Sequence, residues 1–197
     1  VGSEMCIRDR NYLQTQGFSQ CFCEPCVFFK KSKEDLLIIG AYVDDLITLY
    51  SNENDMRDLY SDIKNQFDFT PQHPLKDICG IEVSETKEHI ILTITSYIDK
   101  MAEVFLSNEM RSSAAHTPAL ESLPRLVDEA LDQNVDFIDS RLLTQYQSII
   151  GSILFAATTV RADIAYAAGM LSRAMSRPTT ALIRAAERVV QYLNTTR

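Results

Sequence analysis

The chain has 197 residues, 46% of them hydrophobic and 23% charged, enough for one domain, or one domain with a small appendage, around a real core. No apolar run approaches the roughly 18 to 20 residues of a membrane-spanning helix and nothing reads as a signal peptide. The net charge of −8 argues against a uniformly basic nucleic-acid surface, and five cysteines suit reduced thiols in a cytosolic or nuclear setting.

That charge is uneven. Residues 121–139 carry six acids against Arg125, whereas residues 140–197 carry seven arginines against Asp163 and Glu187. A basic face in the last third is therefore compatible with the negative total.

Val1 to Arg10 has no clear period and fits nothing that follows; it reads as a sequencing-adapter remnant outside the fold. Tyr12, Leu13 and Phe18 fit the continuation of a helix, and Cys26 to Lys31 reads as a strand. Cys21, Cys23 and Cys26 are spaced C-x-C-x-x-C without a second pair at ligand spacing, so they read as half-buried strand cysteines. Two apolar runs follow, Leu36 to Val43 and Leu46 to Tyr50, separated by Asp44 and Asp45. Two β-type runs around two turn-forming residues predict a tight hairpin.

Met56, Leu59, Tyr60, Ile63 and Phe67 recur at helical spacing behind Asn52, a candidate N-cap. Phe67 to Thr70 reads as a strand that Pro71 to Pro74 breaks, and Ile78 to Val83 and His89 to Thr95 read as two further strands. In the second, alternation predicts one buried face. Ser96-Tyr-Ile-Asp99 reads as a capping box, opening a helix whose Tyr97, Met101, Val104 and Phe105 share a face. Arg111 to Asp139 is small, polar and acidic, with Pro118 and Pro124, and reads as a linker. The last third reads as helical, with Tyr146, Ile149, Ile150, Ile153, Leu154 and Ala157 on one face. Ile164, Ala168, Leu171 and Met175 continue the pattern, and Pro178 opens a helix with Leu182, Ala186, Val189 and Leu193. Hairpins mixed with helices, without a βα alternation, indicate an α+β fold.

The chemistry concentrates at Asp44 and Asp45. Two anions at the tip of an apolar hairpin are costly unless something positive sits there, and a divalent cation is the obvious candidate. Seen alone, an Asp-Asp pair is also a common turn. His73, His89 and His116 are scattered and read as solvated.

Tyr42-Val-Asp-Asp45 resembles the YxDD catalytic hairpin of reverse transcriptases, and its flanks resemble the copia-type retrotransposon polymerase. Gly17-Phe-Ser-Gln20 and Cys26-Val-Phe-Phe29 are similar to that family's lead-in. Leu75-Lys-Asp and Gly80-Ile-Glu-Val83 resemble its LGIEI strand, Tyr97 to Phe105 its following helix, and Thr117-Pro118 its TP pair. Tyr146 to Leu154, Arg161 to Tyr166, Leu171-Ser-Arg173 and Ala185 to Leu193 follow its closing pattern in order. Ala162, where the family has Pro, and the proline-flanked Gln72-His73 segment are departures.

The resemblance implies a reverse-transcriptase palm with thumb-like and C-terminal helices. It implies RNA-directed DNA polymerase activity by two-metal nucleotidyl transfer, with Asp44 and Asp45 catalytic and holding Mg²⁺, or Mn²⁺ in its place. Tyr42 and Val43 are expected to pack beneath the primer terminus; the late arginines, Arg161, Arg173, Arg177, Arg184 and Arg188 among them, read either as an ordinary solvated helix face or as phosphate contacts to nucleic acid. The implied partners are an RNA template, a DNA primer, deoxynucleoside triphosphates and the rest of the same polyprotein, in a cytoplasmic virus-like particle or the nucleus. The expected layout is a non-native tail (1–10), the remainder of the palm (11–96), a thumb-like helix (97–116), an acidic linker (117–140) and a helical connection towards a ribonuclease H domain (141–197). The family's third metal-binding carboxylate stands on an earlier palm strand, so the expectation is a fragment inactive alone. The alternative is a non-catalytic retroelement remnant that at most binds nucleic acid or a partner.

Overall fold

A computed structural model describes residues 4–32, 34–42, 45–66, 74–132 and 139–197, with side chains from Arg10 onward. It divides the chain into two compact units, Val1–Leu75 and Lys76–Arg197. Antiparallel sheets and helices make up the described residues, the α+β class expected.

In the first unit, helix α1 (Glu4–Thr15) begins inside the stretch that the sequence set aside as a tail. Gly17, at φ +84°, ends it; the Phe18 amide reaches back to the Leu13 carbonyl at 3.0 Å, a left-handed helix stop that glycine takes without strain. Strands β1 (Ser19–Gln20), β2 (Val27–Lys31), β3 (Leu36–Tyr42) and β4 (Asp45–Tyr50) form an antiparallel sheet in that order. Helix α2 (Glu53–Gln66) follows, and Asn52 caps it as predicted, its Oδ1 accepting from the Asn54 amide at 2.9 Å. Met56, Leu59 and Ile63 of α2 join Leu13, Phe18, Phe28, Leu37 and Ile39 in a single core. Cys21, Cys23 and Cys26 sit in the loop before β2, the last two exposed, and not on a strand. The strand predicted over Phe67 to Thr70 and its proline break, with His73, lie outside the described residues apart from Pro74.

The second unit opens with strands β5 (Asp77–Ile78), β6 (Ile81–Glu85) and β7 (Ile90–Thr93). The single strand predicted over Ile78 to Val83 is two strands, because Cys79 and Gly80 both take positive φ (53° and 80°) and Ile78 pairs with Ile81. That is the backbone of a two-residue hairpin turn. Strand β7 is an edge, and Ile90, Ile91 and Leu92 are all exposed, so the half-buried alternation expected there is not realised.

Helices α3 (Thr95–Phe105), α4 (Asn108–Ser112), α5 (Leu123–Asp132), α6 (Ser140–Thr159), α7 (Ala165–Arg173) and α8 (Thr180–Thr195) complete the unit, with a 3₁₀ turn over Ala162–Ile164. The capping box predicted at Ser96 is absent: α3 starts at Thr95, and Glu82 of β6 accepts from the Ser96 amide at 2.8 Å instead. Val104 is 73% exposed; the buried face of α3 is Ile98, Met101 and Ala102.

The acidic segment read as a linker contains α5, whose Leu123, Val127 and Ala130 are buried in the core. Pro124 does not break this helix, because it occupies the first turn, where a proline's missing amide has no intrahelical partner to lose. Helix α6 supplies the centre of the core through Tyr146, Ile149, Ile150 and Ile153, and lies against α7 and α8; α8 also meets α3 and α5. Thr179, next to Pro178, caps α8 through its hydroxyl, which accepts from the Leu182 amide at 3.2 Å.

Candidate active site

The hairpin of β3 and β4 is held at both ends. Strand β2 pairs with β3 from Val27↔Gly40 to Lys31↔Leu36, and β3 pairs with β4 from Leu37↔Tyr50 to Tyr42↔Asp45. At the base, Ser51 Oγ accepts from the Leu36 amide at 2.9 Å, the Ser51 amide reaches the Leu36 carbonyl at 3.1 Å, and Asn52 Nδ2 donates to Asp35 at 3.2 Å. These bonds fix the register as far as the Tyr42–Asp45 pair.

Alternation along paired strands then assigns the faces. Leu37 and Ile39 point into the core with Phe28, and Leu46, opposite Ala41, packs against that core. Tyr42 and Asp45 face each other on the opposite side, together with Ile38, Ile47 and Leu49. Tyr42 is 55% exposed and Asp45 is exposed. Asp45 is the first residue of β4, not a turn residue, and both Tyr42 and Asp45 are open to solvent although the runs that flank them are apolar. Val43 and Asp44 lie outside the described residues.

Asp45 has no side-chain hydrogen bond or ion pair to another described residue. A carboxylate held on a rigid strand end with its oxygens in water is the donor type that a hard divalent cation takes. Among the described residues, however, no group of three or more His, Cys, Asp or Glu side chains gathers at metal-binding distance. Asp45 therefore fits a divalent ion as one ligand of a set that the described residues do not complete.

The arginines expected on nucleic acid divide by their partners. Arg161 is 14% exposed, forms an ion pair with Asp163 at 2.8 Å and donates to the Thr196 carbonyl at 3.1 Å. Tyr192 donates to the same Asp163 at 2.9 Å, so this cluster ties the 3₁₀ turn to the end of α8. The guanidinium of Arg161 holds the Asp163 carboxyl below its ordinary range. Arg177 donates to the Leu131 carbonyl at 2.6 Å and Arg188 to Thr117 Oγ1 at 3.0 Å. Arg173 lies 3.7 Å from Asp128 with half of its side chain exposed, and Arg184 is exposed on α8. His89 and His116 are exposed.

The sequence profile of the family described as reverse transcriptase (RNA-dependent DNA polymerase) matches residues 5–120, more than half of the chain. The chain belongs to the reverse-transcriptase family. It is similar over 94% of its length, at 26% identity, to the Retrovirus-related Pol polyprotein from transposon TNT 1-94 of Nicotiana tabacum. A putative transposon Ty5-1 protein of Saccharomyces cerevisiae is 29% identical over 95% of the chain. The Retrovirus-related Pol polyprotein from transposon RE1 of Arabidopsis thaliana is 28% identical over 93%. These are copia-type retrotransposon proteins, the group that the motifs pointed to. The chain spans 14% of the tobacco protein, 58% of the yeast protein and 12% of the Arabidopsis protein. No solved structure matches it.

Sequence reasoning missed two contributors in this reverse-transcriptase chain. Glu82, within the GIEV motif, positions the start of α3, and Thr117, within the TP pair, holds Arg188. Both motifs were visible. Their partners, 14 and 71 residues away, were not, because no local period connects them.

Proposed function

We propose that this chain is the part of an RNA-directed DNA polymerase that carries the YxDD hairpin and, within a longer polyprotein, serves two-metal nucleotidyl transfer. The observation that supports this most is Asp45 at the head of β4, paired with Tyr42, exposed and without a cation among the described residues. Asp44 and Asp45 would hold Mg²⁺, or Mn²⁺ in its place. When bound, such ions activate the attacking hydroxyl and offset charge on the transferring phosphate. The chain's own contribution is positional. The strand register holds Asp45 opposite Tyr42, and Tyr42 with Val43 would offer a packing surface beneath a primer terminus.

RNA template, DNA primer and deoxynucleoside triphosphates are the proposed substrates, with the rest of the polyprotein as partner. Of the five arginines, Arg173 keeps half of its side chain exposed for phosphate contact, while Arg161, Arg177 and Arg188 serve internal bonds. By itself the 197-residue chain is proposed to be inactive, because it spans 14% of the tobacco polyprotein and 12% of the Arabidopsis one that it resembles. The second reading is a remnant without catalysis.

Extension of a primed RNA template separates these readings. The isolated chain is expected to give no product above an Asp44→Asn, Asp45→Asn control. Fused behind the preceding segment of the tobacco relative, it is expected to extend the primer only with both aspartates intact. Product from the isolated chain would overturn its inactivity, and none from the fusion would favour the remnant.

A further inference from the structure

Between the start of α5 and the outer face of α8 lies a cavity of about 220 Å³. Its floor is apolar, made by Ala119, Leu123, Leu126 and Ala185, and Arg184 and Arg188 form one wall. The two arginines are four residues apart on α8 and so share a helix face. Arg188 is only partly satisfied: its Nη2 donates to Thr117, but its Nε is buried without a hydrogen-bond partner. A buried guanidinium donor without an acceptor is costly, so Arg188 is short of an acceptor.

Three features select the occupant. Two guanidinium groups four residues apart on α8 set positive charge along one wall, and a carboxylate is the acceptor that arginine binds best. The apolar floor asks for an apolar group beside that carboxylate, which a sugar-phosphate backbone does not offer. The volume is below the roughly 300–1,000 Å³ of ordinary small-molecule pockets and suits a single inserted side chain. We propose that this notch docks a partner-protein segment that inserts one leucine-like side chain and sets the adjacent carboxylate on Arg184 and Arg188. The site would act as a small anchor-and-charge hot spot.

The test is fluorescence anisotropy with the full chain and three labelled hexapeptides that differ at one central position: Leu-Glu, Leu-Gln and Leu-Lys. Saturable binding of the Leu-Glu peptide is expected, with the Leu-Gln and Leu-Lys peptides at least about tenfold weaker. Arg188→Gln should weaken it by a similar factor. Because Arg188→Gln also loses the Thr117 bond, two exposed substitutions serve as further probes. Arg184→Gln should weaken binding severalfold, and Ala181→Phe, at the cavity rim, should abolish it while leaving the circular dichroism spectrum unchanged.

Equal binding of all three peptides, or binding indifferent to Ala181→Phe, would overturn the proposal. So would octanoate binding in place of the peptide, which would make the notch a site for free amphiphiles. Self-association of the chain lost with Ala181→Phe would assign the notch to a second copy. Displacement of the peptide by a primed RNA template would assign the two arginines to phosphate.

Discussion

Glu82 on β6 closes the start of α3, its Oε1 accepting from the Ser96 amide at 2.8 Å while its Oε2 accepts from the Thr93 hydroxyl at 3.0 Å. The hydrogen bonds from Ser96, followed by that from Thr93, hold the Glu82 carboxyl below its ordinary 4.5. A carboxylate lowered by folding contributes stability above its unfolded pKa and loses it as pH falls through the folded value. The difference in melting temperature between the parent chain and Glu82→Gln should therefore be largest at neutral pH and shrink below about pH 4.5. A difference that stays constant from pH 7 to pH 3 would assign the effect to packing alone.

Tyr146, buried at the centre of α6, donates its hydroxyl to the Leu171 carbonyl of α7 at 2.8 Å. Burial pushes its phenol well above the ordinary value of 10.0, so it stays neutral and donating through the alkaline range. The Leu171 carbonyl keeps a second partner in the Ala174 amide at 3.2 Å. Tyr146→Phe should therefore cost only about 1 kcal/mol, the worth of one net hydrogen bond, measured by urea unfolding. A loss of several kcal/mol would mean that the hydroxyl does more than join α6 to α7.

Much of the fold was legible because much of it is local. The β3–β4 hairpin and the face of α8 follow from alternation and helical spacing within single segments, and both are present. What was hidden depends on distant residues or on backbone sign. Ser96 reads as its own capping box, but the acceptor comes from Glu82 across a strand. Cys79 looks like a strand residue until its positive φ makes a turn with Gly80. At the candidate site, the identities of Tyr42 and Asp45 were legible. Their exposure was not, since the apolar runs of β3 and β4 do not say that one sheet face stays open.

Helix α5 gives the sharpest separation between a linker and a core element. Val127 is 0% exposed, packed within the core of the second unit, whereas Arg125 two residues earlier is exposed. Removing two buried methyl groups and leaving a partly collapsed cavity predicts a loss of about 2 kcal/mol for Val127→Ala. Arg125→Ala, which removes an exposed pair with Glu129 at 3.5 Å, should change stability by less than about 0.5 kcal/mol. Equal effects of the two substitutions in chemical denaturation would return the segment to the status of a linker.

Asp45 offers the opposite case, a residue whose replacement should be felt in binding and not in folding. It is exposed and has no described side-chain partner, so Asp45→Asn should move the unfolding free energy by less than about 0.5 kcal/mol. The strands hold Asp45 opposite Tyr42 whether or not its side chain is charged, because the pairing bonds are backbone bonds. Removing one of two neighbouring anions should, however, weaken a divalent ion's hold on the tip. Millimolar Mn²⁺ should broaden the amide resonances of Tyr42 and Leu46 in the parent chain and much less in Asp45→Asn. Equal broadening in both would show that the ion is held elsewhere, and the hairpin would then lose its claim to be the metal-binding tip of a polymerase.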